Sequence, residues 1–216
     1  VSTVVKTDRY SSNKVITDYI KTLDKVEYSG FFSGAAANDL IDGESVDIIT
    51  AEKSLENLGN LKLTDELRAL MDGAADGYEP VLLGSNYRGR VEIGDVFTVS
   101  IYEEKDCIVA GFLEEGASWP KRGKLFNTTS TGDAYILDNS GILLTENYDK
   151  YDTFKISDGA CEYYFVTEPE NRSEVYSQIR EYALQNAITV QMVNVGDEIE
   201  EQIESTGLTS DNSFLA

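Results

Sequence analysis

The sequence predicts an α+β fold of two lobes: an α/β lobe built from both chain ends, and a β-rich lobe inserted between them. Helix and strand patterns alternate at both ends, short β runs separated by turns fill the middle, and the breaker-rich stretch DGAADGYEP, 72–80, divides the two textures. The expected boundaries are 1–77 with 159–216 for the α/β lobe and 78–158 for the insert. At 216 residues and 41% hydrophobic, the chain can bury a core of that size.

Taken in order, Ser12 to Leu23 carries Val15, Ile16, Tyr19, Ile20 and Leu23 at three- and four-residue spacings, one apolar helix face. VEYSGFFSGAA, 26–36, is rich in β-branched and aromatic residues and suits a strand, as does VDIIT, 46–50. Thr64 to Met71 reads as a helix: Thr64 can cap it, and Asp65 and Glu66 fall in the first turn, where the helix dipole favours carboxylates. Leu67, Leu70 and Met71 are its inward candidates. In the insert, VFTVSIYEE (96–104) and CIVAGFLEE (107–115) form an expected hairpin turning at Lys105 and Asp106. AYILD (134–138) and ILLTE (142–146) form a second, turned by Asn139, Ser140 and Gly141. CEYYFVTEP then gives a strand, and Ser173 to Asn186 a helix, with Asn171 and Glu174 at capping-box spacing. ITVQMVNV (188–195) alternates as a strand, and a final helix is expected to carry Ile199 and Ile203.

Charge and composition exclude several functions. Lys+Arg 18 against Asp+Glu 39 gives a formal charge of −21, which repels nucleic acid and anionic lipid headgroups. With no histidine there is no imidazole base for a Ser or Cys nucleophile and no His-containing metal site. Carboxylate chemistry remains: a glycosidase-type acid pair or a hard cation held by oxygens. No such spacing stands out, so no catalytic residue, metal or cofactor is assigned. Cys107 and Cys161 lie in apolar stretches, either as buried strand residues or as one disulfide. No run approaches the roughly 20 apolar residues that span a bilayer. The sequence opens without Met and closes on NSFLA, which reads as a piece of a longer chain.

Other motifs have bland readings beside sharp ones. Gly84 to Gly89, GSNYRG, imitates half a phosphate loop, but Arg90 and Val91 stand where Lys and Ser or Thr belong, so a turn leading to Gly94 is expected instead. DNSGILLTENYDKYD, 138–152, is oxygen-rich but lacks the ligand order of a calcium loop and reads as a solvated turn. The tyrosines, Tyr148, Tyr151, Tyr163 and Tyr164 among them, read as core or rim residues. GASWPKRGK offers Trp119 either as an exposed loop tip or as a residue packed into its own lobe. As a tip, Trp119 with Lys121 and Arg122 is the candidate partner contact, basic on an acidic chain.

The stretch VLLGSNYRGRVEIGDVFTVSIYEEKDCIVAGFLEEG, 81–116, resembles the extracytoplasmic core of MacB/FtsX-like ABC transporter permeases. In that family an apolar strand ends in a glycine and a short helix follows. A V/I-G-D turn then starts a strand whose hairpin partner ends in V-x-G-F/V-L. The pieces here are VLLG (81–84), IGD (93–95), FTV (97–99) and VAGFL (109–113). Gly94 supplies a turn with positive φ, and Asp95 can bond its own backbone. The resemblance implies a non-enzymatic extracytoplasmic domain at the cell membrane. It would be flanked by transmembrane segments and would relay conformational change from an ATPase on a separate cytoplasmic subunit or region. It would meet a peptide, a lipid-linked molecule or a cell-wall-associated partner. The alternative is a secreted or surface-anchored carbohydrate-binding or carboxylate-dependent hydrolase module, which needs a cleft with convergent carboxylates.

Overall fold

The computed structural model describes residues 2–7, 10–37, 46–74, 77–100, 104–120, 134–146 and 161–194. Within them lie strands β1 (Ser2–Thr7), β2 (Tyr28–Ala37), β3 (Asp47–Glu52), β4 (Glu79–Leu83), β5 (Val96–Ser100) and β6 (Glu104–Phe112). Strands β7 (Ser118–Pro120), β8 (Ala134–Ile136), β9 (Ser140–Thr145), β10 (Cys161–Val166) and β11 (Val190–Asn194) follow. The helices are α1 (Tyr10–Ile20), α2 (Asp65–Asp72) and α3 (Arg172–Gln185).

Nine strands form one mixed sheet in the order β11-β1-β10-β2-β3-β9-β4-β6-β5. Strand β2 is long enough to serve twice. Its first half pairs with β10, and its end turns onto β5 through Ala36↔Ser100 and Ala37↔Val99. The six strands from β2 to β5 therefore close into a ring. Val81, Leu83, Phe97, Val99, Cys107, Val109 and Leu143 pack together as its core. Gly141 faces this core, where a Cβ would lie 2.6 Å from Ile48 Cδ1 and 3.0 Å from Leu83 Cδ2, so any side chain there must displace those ends. The ring draws β2 and β3 from before residue 78 and β4, β5, β6 and β9 from after it.

Alternation along each strand divides the remaining core. Val5, Tyr163 and Phe165 face α1 and α3, while Val4 and Tyr164 belong to a second cluster with Leu61, Met71, Leu82 and Trp119 on the opposite side. Helix α2 forms as expected, with Thr64 Oγ1 accepting from the Leu67 amide at 3.2 Å. Met71 is buried, whereas Leu70 is left exposed.

Four local expectations are corrected. Lys105 and Asp106 are not a turn: they pair with Val99 and Thr98 inside the ladder, because the β5–β6 register runs on to Ser100↔Glu104. Strands β8 and β9 are consecutive but do not pair, because β8 joins β7 while β9 inserts between β3 and β4, parallel to the first and antiparallel to the second. Asn171 makes no side-chain cap; its φ of −87° and ψ of −15° are already helical, because a 3₁₀ turn at Pro169–Asn171 leads into α3. Val15 is exposed on α1, since Ile16 and Ile20 define the buried face. The final helix expected around Ile199 and Ile203 lies outside the described residues.

Candidate functional site

Gly84 ends β4 where the chain passes hard against the backbone before β9. A Cβ there would lie 2.0 Å from the Leu137 carbonyl oxygen, and its amide donates to Ser140 O at 2.7 Å. The following turn at Ser85–Tyr87 is the bland outcome for GSNYRG. The Asn86, Tyr87 and Arg88 amides already donate to Asp138, Gly84 and Ser85 carbonyls, so they are not free to cradle phosphate. Tyr87 is driven into the ring core, its hydroxyl donating to Asn139 O at 3.2 Å, and Arg88 lies over the Phe112 ring while bonding Phe112 O.

Gly94 takes a φ of +102°, and Asp95 Oδ2 accepts from the Glu92 amide at 2.9 Å, closing the turn that the IGD sequence predicts. Reciprocal bonds from Gly94 N to Val109 O and from Val109 N to Asp95 O, both 2.9 Å, clamp that turn to β6. Phe97 then sits opposite Cys107 in an antiparallel hairpin.

At the other end of the sheet, β1 lies between β10 and β11, with Thr3 opposite both Phe165 and Asn194. The chain thus enters the fold and makes its last described strand side by side. Helices α1 and α3 cover this region. Ile16 and Ile20 pack with Val175, Ile179 and Ala183, and the Tyr19 and Tyr182 rings stack at 3.8 Å with 3° between planes. Buried Tyr163 ties α1 to the sheet, its hydroxyl donating to Ser29 Oγ at 2.8 Å and reaching Thr17 O at 3.3 Å. Burial raises the Tyr163 pKa above the usual phenol range, with the charges of Glu52 and Asp18 adding to the shift.

Of the two outcomes for Trp119, the structure places the ring in its own core, 1% exposed, as part of β7. Gly59 makes room for it: a Cβ there would lie 2.8 Å from Trp119 Cε3. Lys121 and Arg122 lie outside the described residues. Cys107 is a buried free thiol, which leaves no disulfide to Cys161. Burial, then the charges of Glu79 and Asp106, push its pKa up to about 12. Asp138 serves a structural turn, with Oδ1 accepting from Ser85 Oγ and the Gly116 amide. Tyr163 and Tyr164 are buried core residues, whereas Tyr148 and Tyr151 lie outside the described residues. Near the start of β1, the hydrogen bond that the Glu168 carboxyl donates to Glu27 raises the pKa of Glu168, and the charges of Glu27 and Glu170 act in the same direction. No local pattern in the sequence signals the Tyr19–Tyr182 stack, because the two rings come from helices at opposite ends of the chain.

The ring of strands, joined to the layer where both described chain ends meet, is similar in fold to the extracytoplasmic domains of MacB-like ABC transporters. The extracellular domain of the ABC-type transporter YknZ from Gram-positive bacteria superimposes with a TM-score of 0.52 and 9% identity, covering 90% of this chain and 100% of that one. The periplasmic region of MacB from Actinobacillus actinomycetemcomitans gives 0.52 and 11%, covering 94% and 92%. At these identities the likeness is one of fold. No protein family and no curated protein matches the chain by sequence.

Proposed function

We propose that this chain is the extracytoplasmic domain of an ABC transporter permease, and that it relays conformational change between the membrane and a partner outside it. The observation that carries this reading is the fold likeness over nearly the whole length of both chains. The pairing of Thr3 with Asn194 supports it, because a domain hung between two membrane spans needs both strands to leave from one pole. Among the described residues no helix is long and apolar enough to cross a membrane. In this reading the spans lie in flanking sequence and the ATPase on a cytoplasmic subunit or region. The expected division, 1–77 with 159–216 against 78–158, then puts α1 and α3 near the bilayer and β4, β5, β6 and β9 farther out. A rigid helix pair locked to the sheet moves as a unit. The external contact is a peptide, a lipid-linked molecule or a cell-wall-associated partner, with Lys121 and Arg122 as its basic anchors on an acidic chain.

The test is made on the full-length protein in intact cells. Protease added outside should cleave this domain, and an ATPase subunit should co-purify unless the ATPase is part of the same chain. A domain protected from external protease would sink the reading, as would a full-length protein with neither an ATPase region nor an ATPase partner.

A further inference from the structure

We propose that the cavity between the end of α1, the end of β3 and the end of β9 is a binding site for a small zwitterion bearing an ammonium and a carboxylate. The cavity measures about 330 Å³, at the small end of ligand pockets and of amino-acid to dipeptide size. Lys21, Glu52, Lys53 and Glu146 bring two cations and two anions to its wall, with the hydroxyls of Ser54 and Thr145 between them.

The floor is built by an absence. A Cβ on Gly30 would lie 2.6 Å from Glu52 Oε2 and 2.7 Å from Ser54 Oγ, so the bare backbone of β2 lets both groups settle over it. Glu52 is held there with its side chain 14% exposed, accepting from Lys21 Nζ at 3.3 Å and from the Phe31 amide at 3.1 Å. Ser54 Oγ donates to Ser29 O at 2.7 Å. Lys53 Nζ reaches Asp72 Oδ1 at 2.7 Å and Glu146 Oε1 at 3.2 Å, and these carboxylates keep its ammonium charged.

Charge balance selects the ligand. A simple anion that draws Lys21 to itself strands the largely covered Glu52, and a simple cation on Glu52 strands Lys21, whereas Lys53 keeps Asp72 when Glu146 is engaged elsewhere. A molecule with both charges replaces each contact in kind. The formal charge of −21 on the whole chain also disfavours a ligand that is only anionic. The site rests on the cavity's own geometry and is independent of the transporter reading.

The experiment is an amide-detected NMR titration of the 216-residue chain with glycylglycine, N-acetylglycylglycine and glycylglycine amide. Saturating shifts centred on the Lys21, Gly30, Ser54 and Thr145 amides are expected with glycylglycine, and binding about tenfold or more weaker with either blocked analogue. K53M should leave the fold intact by circular dichroism, because the Lys53 ammonium lies at the surface, and should weaken glycylglycine by a similar factor. G30A should abolish the site by displacing Glu52 and Ser54. Absence of shifts at these amides in the wild-type chain, an equal response to all three probes, or undiminished binding by K53M would overturn the proposal.

Discussion

Thr3, near the start of β1, lies directly across from Asn194, at the end of β11, and the Thr3 hydroxyl meets Tyr176 Oη of α3 at 2.7 Å. Thr3 is fully buried, so this bond fastens the entering strand to the helix layer at the pole where both described chain ends meet. Tyr176→Phe leaves the Thr3 hydroxyl short of that partner and should cost about 1–2 kcal/mol in urea unfolding. Replacing both partners, Thr3→Val with Tyr176→Phe, should cost less than the single Phe substitution, because the buried hydroxyl is then gone as well. Equal losses in the two proteins would show that the bond does not hold the strand.

The Tyr19–Tyr182 stack joins α1 to α3. A double-mutant cycle with Tyr19→Ala and Tyr182→Ala should return a coupling of about 0.5–1.5 kcal/mol. Under the proposed relay, Tyr19→Ser in the full-length protein should lower transport per ATP hydrolysed while leaving the ring folded, because the stack that joins the two helices is lost. Unchanged coupling between hydrolysis and transport would argue against a mechanical role for α1.

Three glycines resist alanine for three different reasons, and their costs should rank accordingly. At Gly84 the added Cβ meets rigid backbone, Leu137 O at 2.0 Å and Asp138 O at 2.4 Å, so Gly84→Ala should cost at least about 4 kcal/mol. At Gly141 it meets the flexible ends of Ile48 and Leu83, an overpacking of about 1–3 kcal/mol. At Gly94 nothing lies within 4 Å, and only the φ of +102° penalises alanine, again by about 1–3 kcal/mol. Denaturant midpoints of the three variants check the order, with Gly84→Ala lowest.

What the sequence made legible was what neighbouring residues decide. Thr64 announces α2 because its hydroxyl bonds an amide only three residues on, and IGD announces the β5–β6 hairpin because Gly94 and Asp95 close their own turn. The parallel pairing of β3 with β9 and the closure of β2 onto β5 carry no local signal, since hydrophobic alternation says which face is buried but not which strand lies alongside. Trp119 was open for the same reason. Its burial depends on Gly59, a residue far away in sequence that lets the backbone approach the ring. The zwitterion cavity was equally hidden, because Lys21, Glu52 and Glu146 meet only once α1, β3 and β9 are assembled.

Alkaline pH should expose the burial of Cys107 and Tyr163. Below the ordinary thiol value of 9.0, Cys107 is protonated in both folded and unfolded chains and contributes no pH dependence. Above it the unfolded thiol ionises, while burial keeps the folded one protonated up to about 12. Across that window the folded state binds more protons than the unfolded state, so stability must fall as pH rises. Tyr163 adds the same sign of effect from its ordinary value of 10.0 upward. Cys107→Ala should be less stable at neutral pH, because it opens a cavity in the ring core, yet its stability should stay nearly flat between pH 9.0 and 10.0 where the wild type declines. Denaturant midpoints measured at closely spaced pH values give both curves, and alkylation followed by mass spectrometry should find Cys107 unmodified until the chain unfolds. A wild-type decline over that interval that Cys107→Ala reproduces in full would place its origin elsewhere than the thiol.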